Sequence, residues 1–279
     1  MATDEGRSAR GRELAEEALV RLAVRLDSHR HELVVIGGLN PEFLTSDPPV
    51  PHQGTNDVDI LLSVGFVYDR DELDFGWLEK ALRDAGFTID EQTKVGWRWR
   101  LELHGATIKL ELLCDVQGED IHPIVLPGCA ETSAMNLLGP GAAMNDTRLR
   151  VLVVPEELGG GEVALRFAGL GGYLMSKAAA IVGRGHDKDY YDFAYVLLYN
   201  TAGGPARAAQ VLADAGSRDL LERYRTDLHE AVRLFTTGER PGAGVFAREM
   251  QESGVETELE ILVEDAASAA DEFWRTLQG

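Results

Sequence analysis

The chain has 279 residues, with 27 Lys and Arg against 47 Asp and Glu, for a formal net charge of −20. Hydrophobic residues at 44% and charged residues at 27% exclude a largely disordered chain and suit one large or two modest domains. Two cysteines, Cys114 and Cys129, exclude a disulfide framework or a four-thiolate zinc site, and the seven histidines show no close ligand spacing.

The opening MATDEGRSARGRE lacks an apolar core, so no signal peptide is expected. No apolar run reaches the ~18 residues of a membrane span, so a cytoplasmic protein without membrane contact is expected. So acidic a chain does not coat nucleic acid generally, because phosphate binding needs a positive surface. The charge is uneven, however. Nine acids and one base fall between Glu249 and Gly279. Lys94, Arg98, Arg100 and Lys109 face one acid between Thr93 and Lys109, and Arg166, Lys177, Arg184 and Lys188 face two between Arg166 and Tyr191. These two stretches suggest a localised anion site.

In chain order, Leu14, Ala18, Leu22 and Leu26 predict a helix over 12–27. LVVIGG, residues 33–38, reads as a buried strand ending in a glycine pair. Four prolines between Asn40 and Gly54 predict an irregular loop, and DVDILLS, residues 57–63, a second strand. A helix is predicted over 71–85, stopped by Gly86. Alternation over 95–103 predicts a half-buried strand with Trp97 and Trp99 inward, which turns at His104-Gly105 into a strand over 107–114. One more strand is predicted over 148–154. Helices are then predicted over 173–182, 189–199, 206–215, 220–235 and 256–277. Strands first and helices later predict an α+β core followed by a helical domain, joined around 155–170.

Asp57 and Asp59, two apart on a strand, project from one face, while Val58, Ile60 and Leu62 point to the core. Such a pair repels itself unless a cation lies between, and a hard ion such as Mg²⁺ takes oxygen ligands of this kind. Glu111, between Leu110 and Leu112, is the candidate third acid, with Asp115 as the alternative. Gly37-Gly38 forms a side-chain-free turn that lets backbone N–H groups approach phosphate, although such a pair alone marks only a turn. His52 reads as a surface residue. Arg98 and Arg100 face phosphate or solvent. Lys177 and Arg184, two helical turns apart, share a face. Asp189 and Asp192 either hold those cations or cap the next helix, and Tyr190, Tyr191 and Tyr195 read as packing residues. No Walker loop or GxGxxG is present, which argues against a P-loop NTPase or a Rossmann dehydrogenase.

The order Gly-Gly, Asp-hydrophobic-Asp-hydrophobic, then an isolated acid in a strand resembles the nucleotidyltransferase superfamily, with its polymerase-beta-like fold. More narrowly, HQGTNDVDILL with Lys177, Arg184 and KDYYDFAYVLL resembles the AbiEii/MenT-type toxin nucleotidyltransferases over residues 33–200. The chain departs from that pattern in three places: 18 residues separate Gly38 from Asp57, Gln53 stands where relatives often have Arg, and the third acid is Glu.

The resemblance implies a nucleotidyltransferase-type mixed sheet with flanking helices over 1–155. A helical domain over 156–279 would complete the active-site cleft. It implies Mg²⁺-dependent transfer of a nucleoside monophosphate from NTP, with Asp57, Asp59 and Glu111 as metal ligands and Lys177 in the catalytic set. Gly37, Gly38, Lys177, Arg184, Asp189 and Asp192 would form the nucleotide-binding set. The acceptor could be a tRNA 3′ end, with an antitoxin as protein partner in a toxin–antitoxin pair. Two alternatives stand beside it: the same transfer to a small molecule such as an aminoglycoside, and a non-catalytic nucleotide-binding regulator.

Overall fold

The computed structural model describes residues 8–64, 73–90, 94–116, 118–215 and 218–279. The opening residues 1–7, the predicted helix start at Asp71 and Thr93 at the head of the first basic stretch lie outside the described residues. The chain is mixed α/β, with one mixed open sheet and helices.

The order begins with α1 (Ala9–Ala23), β1 (Leu33–Ile36), α2 (Pro41–Leu44), β2 (Asp57–Leu62) and α3 (Gly76–Asp84). Strands follow: β3 (Thr88–Ile89), β4 (Arg98–Leu103), β5 (Ala106–Cys114), β6 (Pro123–Val125), β7 (Ser133–Asn136) and β8 (Thr147–Val153). Then come β9 (Glu162–Ala168), α4 (Leu170–Arg184), α5 (Asp187–Tyr199) and α6 (Pro205–Ala215). The chain closes with α7 (Arg218–Thr236), α8 (Pro241–Glu252) and α9 (Leu259–Gln278). A 3₁₀ turn, Asp27–Glu32, leads into β1, and another, Gly37–Leu39, leaves it.

Two compact units result. The first comprises residues 1–39 and 53–167, the second 40–52 and 168–279. The division after Phe167 falls beyond residue 155 because β9, in the span read as a connection, is a strand beside β1.

In the first unit the strand order is β3-β4-β5-β2-β1-β9-β8, with β7 beside the far end of β5 and β6 beside β7. β2 runs antiparallel to β1 and parallel to β5, so the sheet is mixed. Val58, Ile60, Leu110, Leu112 and Trp99 are fully buried, as period-two alternation requires of the core face. The β4–β5 hairpin turns at His104 (φ 49) and Gly105 (φ 81), two successive left-handed residues, as a two-residue turn demands. That turn fixes the register that sets Arg98 opposite Glu111.

α3 ends at Gly86, whose φ of 91 admits no side chain cheaply. Its Glu79 reaches the loop before β7, where one carboxylate oxygen accepts from the backbone N–H of Ala130, Glu131 and Thr132 and from the Thr132 hydroxyl. Burial works against this charge, but those bonds and Arg83 hold the Glu79 carboxyl below its ordinary value.

The second unit is helical. Phe193, Phe235, Phe246 and Phe273 are fully buried on α5, α7, α8 and α9, giving one shared core. The proline-rich segment 40–52, expected as irregular, begins with α2 and lies along α5. Thr45 bridges Asn200, and Ser46 N–H donates to the Tyr199 carbonyl at 2.9 Å. Tyr191 and Tyr195 are buried packing residues, and the Tyr195 hydroxyl donates to the Val50 carbonyl at 2.9 Å.

Candidate active site

On the first unit, the exposed side of β2 and β5 gathers the acids singled out by sequence. The parallel register sets Asp59 beside Glu111 and Asp57 beside Lys109, and cross-strand partners share a face. Glu111 therefore projects to the same side as the aspartate pair. Across β5 the antiparallel register adds Arg98 next to Glu111 and Arg100 next to Lys109. One row thus runs Asp59, Glu111, Arg98, and the next runs Asp57, Lys109, Arg100. Alternating charge relieves the repulsion that two aspartates on one strand would otherwise feel.

Glu111 is engaged: its Oε1 accepts from Arg98 Nε at 2.9 Å, and the Arg98 guanidinium lies 4.1 Å over the Trp97 ring. The cation–π contact and the ion pair fix Arg98 from two sides. Arg98 therefore meets an acid while its side chain stays 40% exposed to solvent, one of the two surroundings expected of it.

The glycine pair is explained by the acids it faces. A Cβ built on Gly37 would lie 1.9 Å from Asp59 Oδ2, and Gly37 holds φ +74, where L side chains are strained. A Cβ on Gly38 would lie 2.6 Å from Thr55 Cβ. Thr55 Oγ1 in turn accepts the Asp57 N–H at 3.0 Å. Both glycines thus admit the strand that carries the aspartates.

The donors on this face are all oxygens, the kind a hard divalent ion takes. Among the described residues no group of three or more His, Cys, Asp or Glu side chains is placed so that it could hold a metal ion. Asp115, the alternative third acid, instead accepts the N–H groups of Gly139 and Gly141 at 2.9 and 3.0 Å and so shapes a loop.

On the second unit, the other predicted residues form a cluster of their own. α4 ends at Gly185, a left-handed cap, and α5 opens at Asp187, so Lys177, Arg184, Asp189 and Asp192 meet at the α4–α5 corner. Lys177 Nζ donates to Asp189 Oδ1 at 3.1 Å and to Asp192 Oδ2 at 2.7 Å. Arg184 grips Asp189 with two bonds, Nε to Oδ2 at 2.7 Å and Nη2 to Oδ1 at 2.9 Å. Asp189 and Asp192 are 0% and 1% exposed, and Lys177 is 7% exposed.

Burial opposes both charges, yet Asp192 and Asp189 hold Lys177 above its ordinary value, and Lys177 and Arg184 hold Asp189 below its own. The two aspartates therefore hold the two cations, one of the roles open to them in the sequence. Arg184 retains a side chain 45% exposed, whereas Lys177 is enclosed.

His52 corrects its surface reading. It is 6% exposed, its Nε2 lies 2.9 Å from Asp192 Oδ1, and its ring lies against Tyr191 and Tyr195. A lone histidine among prolines carries no periodic signal, and its partner lies 140 residues away. No family model matches this chain, and no curated protein or solved structure matches it.

Proposed function

We propose that this protein is a nucleotidyltransferase that moves a nucleoside monophosphate from NTP to an acceptor hydroxyl. The observation that carries the reading is the pairing of Asp59 with Glu111 on one sheet face, with Asp57 on the same strand and Asp59 seated against Gly37. Asp57 and Asp59 would hold Mg²⁺. When bound, the ion supplies charge neutralisation for the phosphates and for the leaving pyrophosphate.

Glu111 has one carboxylate oxygen tied to Arg98, which leaves the other to take the proton of the acceptor hydroxyl. Arg98 orients that carboxylate. Within the second unit, Lys177 and Arg184 together order Asp189 and Asp192. Attack by the acceptor oxygen on the α-phosphorus forms one P–O bond, breaks the bond to the β-phosphate and releases pyrophosphate. Positioning and electrostatics supply the rate. An RNA acceptor such as a tRNA 3′ end, and an antitoxin partner, belong to this reading through the family resemblance.

A second reading, transfer to a cationic small molecule such as an aminoglycoside, is favoured by the exposed acids Glu260, Glu264, Asp265, Asp271 and Glu272 along α9. Incubation with each α-labelled NTP, Mg²⁺ and either total tRNA or an antibiotic panel tests both. Label on RNA supports the first acceptor and label on a drug the second. Nucleotide bound without transfer in any mixture would replace both with a regulatory module.

A further inference from the structure

Three arginines gather in the first unit at the opposite end of β1 from Gly37. The turn Asp27–Glu32, which enters β1, joins β8 and β9 around a concave surface of about 800 Å³. Arg30, His31, Arg148 and Arg166 line it together with Leu149 and Ala164, and Asp27 is the one acid in the lining. Arg166 is built into the wall: its Nη1 donates to the His31 carbonyl at 2.9 Å and its Nη2 to Thr147 Oγ1 at 3.3 Å. Arg30 Nε donates to the Asp27 carbonyl at 2.7 Å.

These bonds go to neutral groups. None of Arg30, Arg148 and Arg166 has a carboxylate ion pair among the described residues, whereas Arg21, Arg98, Arg184 and Arg275 each hold one. Nearby on β8, burial and the charge of Arg148 push the ionisation of Arg150 down, as crowded like charges do. In a chain of net charge −20, acids were abundant enough to neutralise these guanidiniums, yet this concavity keeps its positive field.

The geometry points to a binding site for a compact phosphorylated ligand carrying two or more phosphate groups, such as pyrophosphate or a nucleoside di- or triphosphate. Guanidinium forks match phosphate oxygens bidentately, and several forks in one concavity suit more than one phosphate. The volume lies in the small-molecule range of roughly 300–1,000 Å³. Leu149 and Ala164 offer an apolar floor for a non-phosphate part. A long nucleic acid fits less well, because its backbone needs a continuous positive track rather than one concavity in so acidic a protein. The inference does not depend on the carboxylate face, which would take phosphate through a cation.

The test is isothermal titration of the full chain with sodium pyrophosphate in EDTA at low salt, so that no divalent ion supports binding elsewhere. Saturable binding is expected, and it should weaken about tenfold or more in Arg30→Gln with Arg148→Gln, since charge-assisted hydrogen bonds are lost. Neither side chain ties two elements together, so the double variant should melt as the wild type does. Absence of saturable binding, or unchanged affinity in the double variant, overturns the site. A short single-stranded RNA that binds more tightly than pyrophosphate, with the same arginine dependence, overturns the compact ligand in favour of a nucleic acid.

Discussion

Gly37 shows how one missing side chain positions a functional acid. Because a Cβ there would collide with Asp59 Oδ2 at 1.9 Å, and because φ is +74, Gly37→Ala strains the backbone and displaces the carboxylate together. A loss of more than about 1 kcal/mol in stability is expected, read by urea unfolding, along with loss of transfer. Wild-type stability in Gly37→Ala would contradict the close approach. The glycine pair was legible in the sequence as a turn, but its reason was not, because Asp59 meets it only once β1 and β2 pair.

Lys177 presents the opposite case of a residue saturated by its partners. Removing it leaves Asp189 and Asp192 buried without their shared cation, so Lys177→Ala should cost roughly 3–5 kcal/mol. The sign of the pH dependence follows from the shifts. Asp189 lies below its ordinary 3.8 in the folded chain, so its contribution is complete above that value and is lost as the pH falls through the lower folded value. Lys177 lies above its ordinary 10.5, so its contribution is complete below that value and is lost as the pH rises through the higher folded value. The stability difference between wild type and Lys177→Met should therefore be largest near neutrality and shrink as the pH falls toward and below 3.8. A difference flat with pH would contradict the network.

At the scale of elements, the strongly periodic segments were legible and the short ones were not. β2 and β5 alternate between core and solvent, and the His104-Gly105 turn fixes the β4–β5 register, so the pairing of Arg98 with Glu111 was implicit in the chain. β3, a two-residue strand, was missed, as were β6, β7 and β9. β6 has three residues and β7 four, too short for a periodic signal, and β9 follows a run of glycines that reads as a connection. α8 begins at Pro241 after a left-handed Arg240 and carries Gly242 and Gly244, which mask its helical pattern.

β7 is held partly by Glu79, whose single oxygen collects three loop N–H groups. Glu79→Ala should thus cost about 1–3 kcal/mol, chiefly by leaving the N–H and hydroxyl of the buried Thr132 unsatisfied. Amide exchange in residues 130–132 should accelerate with it, and unchanged protection there would refute the assignment.

For the whole molecule, the acid pair and its third partner could be read from spacing, since two strands of alternating burial put them on one face. The Lys177 cluster was legible as a set of residues but not as a closed network, because its closure depends on the α4–α5 corner at Gly185 and on His52 arriving from a distant segment. The cationic concavity at β8 and β9 was hidden for a similar reason: Arg30, Arg148 and Arg166 come from three separate segments, and only Arg166 fell in a stretch that composition had marked as basic. Net charge described the molecule's average and concealed its local fields.

The central claim is that the β2–β5 face transfers nucleotidyl groups. Its most direct measurement is pyrophosphate release from NTP in the presence of Mg²⁺ and acceptor, compared between wild type and Asp59→Asn. Release by the wild type is expected, with its loss in Asp59→Asn to the level without protein and a melting temperature in the variant close to the wild type's, since Asn keeps the size and shape of Asp. Equal release by both proteins would contradict it.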